Sequence, residues 1–228
     1  MKKKVVVGMS GGVDSSVTAL LLKQQGYDVV GLFMRNWEYG IKGSQCPNRI
    51  EFEDAKKVGE LIGIEVIGKD FVEEYRTKVF DVFLEGLKKG LTPNPDILCN
   101  REIKFNVFLN EAKKMGADMI ATGHYAKIAF YKDHYVLDTP KDNSKDQSYF
   151  LHALSSEQLS HAMFPLGDLT KKEVREIARE HNLPVSDKKD STGICFIGNQ
   201  RFDDFITQHL KAIPGDIIDE NGKVLGKH

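Results

Sequence analysis

The sequence predicts an α/β fold, a Rossmann-like parallel sheet flanked by helices, and three observations carry that expectation. Short apolar runs rich in β-branched residues alternate with segments of helical periodicity. Short turns connect them, with glycine where a helix should stop. The first strand leads directly into a serine- and glycine-rich turn that opens a helix.

Taken in order, residues 4–9 hold three successive valines and read as a strand buried on both faces. Residues 15–25 follow as a helix closed by Gly26, 29–34 as a strand, and 53–62 as a helix closed by Gly63. A third strand is expected over 64–67. A long amphipathic helix is expected over 71–89, with Val72, Tyr75, Val79, Val82, Phe83 and Leu87 on its apolar side. Residues 91–100 lack periodicity and read as a loop or tight turn, followed by a helix over 103–115 and a strand over 118–122. Residues 126–137 suggest a hairpin turning at Lys132-Asp133. Thr170-Lys171-Lys172-Glu173 has the spacing of a capping box, opening a helix that ends near His181. A last amphipathic helix is expected over 201–210. Residues 212–225 then read as a β-hairpin with an Asn221-Gly222 turn.

That change of character suggests two parts: a catalytic domain over 1–200, and over 201–228 a linker helix and the first hairpin of a truncated, β-rich domain. A lone hairpin is marginal by itself.

The chain has 228 residues, 41% hydrophobic and 29% charged, with a formal net charge of −1. These are ordinary values for a soluble globular protein. No apolar run is long enough to span a bilayer, and the lysine-rich start meets a glycine turn at once, so neither membrane insertion nor export is expected. Near-neutral charge excludes a uniformly basic surface but leaves local basic patches such as Arg101/Lys104 and Lys171/Lys172/Arg175. Three scattered cysteines, Cys46, Cys99 and Cys195, form neither a disulfide framework nor a zinc or iron–sulfur spacing.

Three segments carry chemistry. Ser10-Gly11-Gly12-Val13-Asp14-Ser15-Ser16 lies between the first strand and helix, where glycines admit an anion close to backbone N–H groups. It is neither a Walker A loop nor G-x-G-x-x-G. Asp14, ionised, donates nothing to phosphate, so a helix-cap or Mg²⁺-linked role suits it better. In the second segment, 91–100, Pro93 and Pro95 stiffen the backbone that carries Asp96 and Cys99. A helix opening near Arg101 would set Cys99 at its N-terminus, where thiolate is favoured. The alternatives are a buried filler cysteine and a turn-forming aspartate. In the third, glycines 193 and 198 flank a short apolar run centred on Cys195, which reads equally well as a buried strand.

The seven-residue loop resembles the pyrophosphate loop of the ATP pyrophosphatase superfamily. Several further segments make the chain as a whole resemble the tRNA-specific 2-thiouridylases: Gly8-Met9 before the loop, Gly31-Leu32-Phe33-Met34, 92–100, Ala121-Thr122-Gly123-His124-Tyr125, 145–150 and 193–198. That resemblance implies an adenine nucleotide α-hydrolase-like fold and a cytoplasmic enzyme. It implies that ATP with Mg²⁺ adenylates the C2 oxygen of a wobble uridine and that sulfur from a cysteine persulfide replaces it. By the same likeness Cys195 carries the persulfide, Cys99 is the nucleophile that frees its sulfur, and the two close a disulfide in each cycle. Asp96 is then the acid/base, with Asn94 and Pro95 against the target base. Gly8, Met9, Ser10, Gly11, Gly12, Val13, Asp14 and Ser15 hold the nucleotide, and Met34 and Gly123 border its adenine or ribose. His124, Lys145, Asp146 and Gln147 touch tRNA of the Lys, Glu and Gln type, and an upstream sulfur carrier loads Cys195. No metal site beyond Mg²⁺ is implied.

The loop alone also fits other ATP-dependent ligases and synthetases of the superfamily, argininosuccinate synthase among them. A non-catalytic nucleotide-binding module is a further alternative. None of these needs the two thiols.

Overall fold

The computed structural model describes residues 2–38, 46–190, 194–197, 201–211 and 214–227. The centre is a five-stranded, wholly parallel sheet in the order β3-β2-β1-β4-β7, with β1 Lys4–Met9, β2 Asp28–Arg35, β3 Glu65–Asp70, β4 Met119–Ala121 and β7 Ala162–Met163. The expected fold class therefore stands. On β1, Val5, Val7 and Met9 belong to one core and Val6 to the other, the period of two that places successive side chains on opposite faces.

One core is completed by α1 (Val13–Gln24), α2 (Pro47–Ile62) and α7 (Lys171–Glu180). The other is completed by two long helical stretches, α3 over 72–88 and α4 over 95–114. The expected hairpin forms as β5 Lys127–Tyr131 with β6 His134–Asp138, and Lys132 takes the positive φ of 56° at its turn. Short helices α5 (Ser148–Leu151) and α6 (Ser156–Ser160) precede β7. The C-terminal hairpin pairs β8 (Asp216–Ile218) with β9 (Val224–Lys227), and its expected start at 212–213 lies outside the described residues. Among the described residues no helix is long and apolar enough to cross a membrane.

Four local expectations are corrected. In α3 the middle stretch, Arg76–Phe80, is π-helical. Tyr75, Val79 and Phe83 are buried as expected, and Val82 is left 47% exposed rather than on the apolar side. Residues 91–100 are not one loop. Asn94 caps a helix that starts at Pro95, its side-chain oxygen accepting from the N–H groups of Asp96 at 3.0 Å and Ile97 at 3.4 Å. Proline at the first helical position starts a helix as readily as proline elsewhere ends one. The helix expected over 103–115 thus begins eight residues early. Next, 201–210 yields only α8 (Phe202–Ile206), which buries Phe205 in the aromatic core. Finally, the segment around Cys195 is a turn over 195–197 and not a strand, and glycines 193 and 198 lie outside the described residues.

The capping box is present as expected: the Thr170 hydroxyl accepts from the Glu173 N–H at 3.2 Å, and the Glu173 carboxylate accepts from the Thr170 N–H at 2.6 Å. Replacing Thr170 by Ala should lower unfolding stability by about 1 kcal/mol in urea titrations, the usual effect of losing such a cap. An unchanged midpoint would mean that α7 is held by packing alone.

Candidate active site

The strand order reverses beside β1, where β2 and β3 lie to one side and β4 and β7 to the other. Open parallel sheets form their ligand crevice at such a switch point, beyond the carboxyl ends of the strands. Because Val5 pairs with Met119 and Val7 with Ala121, the loop after β1 and the segment after β4 emerge side by side there.

Gly11 adopts φ +73°, and a Cβ on it would stand 2.3 Å from the carbonyl oxygen of Glu51, so only glycine fits. A Cβ on Gly123 would stand 2.9 Å from the backbone of Asp14 and Ser15, which lets the segment after β4 touch the first turn of α1. Gly8 lies against Met34 and Phe108. Ser10 and Ser15 join their hydroxyls at 3.2 Å, and the Ser15 and Ser16 hydroxyls donate to the Gly12 carbonyl at 3.2 and 2.7 Å. Met9 and Val13 are buried as supporting core.

Gly12 is the N-cap of α1, and no side chain caps that end. Asp14 is therefore not the cap. Its carboxylate accepts from the Tyr125 hydroxyl at 2.9 Å and from the Lys171 ammonium at 2.7 and 2.8 Å. Burial, then the Asp14 charge, pushes the Tyr125 phenol well above its usual range, so it stays a donor. Lys171 also meets Asp190 at 2.8 Å, and Asp190 binds Arg175 at 2.8 Å and Lys145 at 3.1 Å. Burial works against ionisation of Asp190, but Lys171 and Lys145 outweigh it and hold the carboxyl below the usual range. Lys188 donates to the Gly11 carbonyl at 3.0 Å and to Asp54 at 2.9 Å, fastening the loop from the other side.

The second half of the site comes from α4, whose stretch Cys99–Val107 is π-helical. Cys99 lies inside this helix, not at its N-terminus, and is only 3% exposed. Burial pushes its thiol from the ordinary 9.0 up to about 12; Lys104 opposes the rise, and Cys195 and Asp96 add to it. The thiolate expected from a helix end is thus corrected to a protonated thiol. Burial likewise raises the Asp96 carboxyl against the opposing charge of Lys104. Cys195 is open to solvent, and the protein packed around it also raises its thiol. The electrostatic effect of each thiol's neighbours places Cys99, Cys195, Asp96 and Lys104 within one region. No disulfide joins the three cysteines, and Cys46 stands apart as the N-cap residue of α2.

Other expected contacts are placed differently. His124 is only 9% exposed, behind Lys104 rather than on the surface, so as placed it is not a surface RNA contact. Gln147 braces the backbone of Tyr125, accepting from its N–H at 2.9 Å. Asp146 accepts from the Ser148 N–H at 2.8 Å, at the start of α5. Lys145 and Asp146 are exposed, with Lys145 in its ion pair with Asp190. Sequence reasoning missed Tyr125, Lys171 and Lys188 as partners of the loop. It also missed Phe196, which stacks among Trp37, Phe80, Phe83 and Phe205 at 5.1–5.7 Å between ring centroids and anchors the Cys195 turn.

A parallel sheet with a glycine–serine loop at its switch point defines a Rossmann-like α/β domain. The chain belongs to the tRNA methyl transferase HUP domain family, whose model matches residues 3–199. It is 92% identical over 226 residues to a tRNA-specific 2-thiouridylase of Aliarcobacter butzleri, covering 99% of this chain and 62% of that protein. It is 54% identical to a protein of the same name from Methylobacillus flagellatus, covering 100% of this chain and 63% of that one. The chain thus spans about three-fifths of the length of these relatives. A solved NMN synthetase from Francisella tularensis shares the fold, with a TM-score of 0.51 at 18% identity over 89% of this chain and 71% of its own.

The raised thiol of Cys99 has a consequence for stability. Because the folded-state value is higher than the unfolded one, its contribution is complete below pH 9.0 and is lost as pH rises toward 12. The stability difference between wild type and Cys99→Ala should therefore shrink across that interval in urea denaturation series. Parallel stability curves would show that the thiol is not held protonated.

Proposed function

We propose that this chain is the ATP-using catalytic part of a cytoplasmic enzyme that exchanges the C2 oxygen of a tRNA wobble uridine for sulfur. A glycine–serine loop at the switch point, in a chain that also gathers one buried and one open thiol around Lys104, carries this reading. The 92% identity to a relative named for this activity supports it. Ligase-type readings account for the loop but leave the paired cysteines without a task.

The loop fits a nucleotide: the uncapped first turn of α1 offers N–H groups to an anion, and Gly11 is held in place close against the Glu51 backbone. Ser10, Gly11, Gly12 and Ser15 would hold the phosphates, with Mg²⁺ accompanying them. Gly8, Met9, Val13 and Asp14 support the loop, and Met34 and Gly123 border the base or ribose. ATP supplies the adenylyl group that makes the uridine oxygen a leaving group.

Asp96, its carboxyl raised by burial, is suited to take up a proton and to return it. Asn94 and Pro95 fix the helix start that presents it to the base. Cys195, open to solvent, receives sulfur from a carrier protein as a persulfide. Cys99 attacks the Cys195 sulfur, breaking the S–S bond, while a C2–S bond replaces C2–O and AMP departs with the oxygen. The sulfur reaches C2 either as released sulfide or while still attached to Cys195. Both routes leave a Cys99–Cys195 disulfide that an external thiol reduces. His124 sits within the site, while Lys145, Asp146 and Gln147 line the approach for tRNA bearing Lys, Glu or Gln anticodons.

The full-length protein, given ATP, a persulfide donor and unmodified tRNA, should yield 2-thiouridine by nucleoside mass spectrometry. Cys195→Ser should yield none, and Cys99→Ser a loss of at least a hundredfold. Cleavage of ATP to AMP with the tRNA left unsulfurated would overturn the substrate assignment and bring the ligase-type reading forward.

A further inference from the structure

Lys104 is the cation shared by the whole cysteine half of the site. It sits five residues after Cys99 on the π-helical stretch Cys99–Val107. In an α-helix such a spacing turns the two side chains about 140° apart. In a π-turn the i→i+5 pair is the hydrogen-bonded pair, so both fall on one face. The half-buried ammonium bonds to His124 Nε2 at 3.3 Å and joins no ion pair with a carboxylate among the described residues.

That contact defines the histidine. A lysine ammonium only donates, so Nε2 must hold a lone pair and the ring proton sits on Nδ1, 2.7 Å from Thr122 Oγ1. His124 is thereby a neutral acceptor braced by the residue that follows β4, and burial together with the Lys104 charge keeps it unprotonated. The surrounding titratable groups are few: Asp96, Cys99, Cys195 and His124 each respond to Lys104, and Glu51 acts on Cys195 from α2.

The geometry points to Lys104 as the residue whose charge stabilises thiolate at Cys195 and Cys99 in turn, with His124 as the positioning residue that aims it. This inference rests on the proposed function in taking those two thiols as the sulfur-handling pair. When either thiol ionises, its proton passes to solvent or to Asp96, and the new negative charge faces an ammonium that closes no ion pair with a carboxylate among the described residues.

The test is a pH profile of iodoacetamide alkylation, in which thiolate displaces iodide, followed thiol by thiol by peptide mass spectrometry on the full-length protein. It needs neither ATP nor tRNA. Lys104→Gln keeps a donor toward His124 and removes the charge. It should move the Cys195 profile up by about one pH unit, a roughly tenfold slower reaction on the rising limb. Lys104→Arg should stay within about threefold of wild type, and His124→Leu, with the ammonium unaimed, should fall between. Lys113→Gln, which removes an exposed charge from the same helix, should leave the profile in place. An unmoved profile in Lys104→Gln overturns the inference, as does an equal shift in Lys113→Gln. If Lys104→Gln does not fold, Lys104→Met and His124→Leu are read against the same criteria. Absence of 2-thiouridine with wild-type protein would instead count against the proposed function and leave these profiles untouched.

Discussion

The parallel pairing of β1 with β4 is the constraint on which the site depends. It sets the end of one strand beside the end of the other in a single register, Val7 opposite Ala121. Three residues further along each chain, Ser10 and His124 therefore begin two walls of one crevice. Contact between the walls is backbone against backbone at Gly123, and the next wall, from α2, reaches Gly11 in the same way. The glycines are thus consequences of the pairing: once three chain segments converge this closely, no Cβ has room. Helix α4 packs Ile103 and Phe108 on the sheet, in the same core that holds Cys99.

Electrostatics around the loop follow from the same convergence. Asp14 would repel a phosphate if its charge faced the crevice, but Lys171 and Tyr125 engage it. Counting the groups joined in the two networks, Lys57, Lys145, Lys171, Arg175 and Lys188 stand against Asp14, Asp54 and Asp190, five cations to three carboxylates. The balance is slightly positive and each carboxylate is committed to a partner, which suits an anion arriving at the end of α1. The capping box at Thr170 belongs to this design, since it sets where Lys171 leaves its helix.

Most of the fold was legible because hydrophobic period and glycine punctuation act locally. β1, the turn at Gly63 and the capping box each depend on residues within a few positions of one another. The loop was legible for the same reason. Proline misled at 93–95, because the residue that breaks a helix also starts one, and Asn94 decides between them through its side-chain bonds. The partners of Asp14 were hidden for a different reason: Tyr125 and Lys171 lie 111 and 157 residues away and meet it only through tertiary packing. Lys104 was hidden although it is near Cys99 in sequence. A period of 3.6 turns it away, and only the π-turn, which no residue pattern announces, brings it back.

The two thiols differ in a way that the proposed chemistry requires. A cysteine loaded by another protein must be reachable, and one that attacks it must not be consumed beforehand by solvent oxidants. Cys195 meets the first condition by riding on a turn anchored by Phe196 and Ile197, which are buried behind it. Cys99 meets the second by lying in the core as a protonated thiol. Reactivity is then a matter of when Cys99 loses its proton, and that depends on charge near it. A carboxyl raised by burial and the ammonium that His124 holds are the groups placed to control that moment. Burial alone would leave Cys99 inert, and a helix end would leave it always reactive. The π-turn gives a position between these, where the thiol is protected until the charge around it changes.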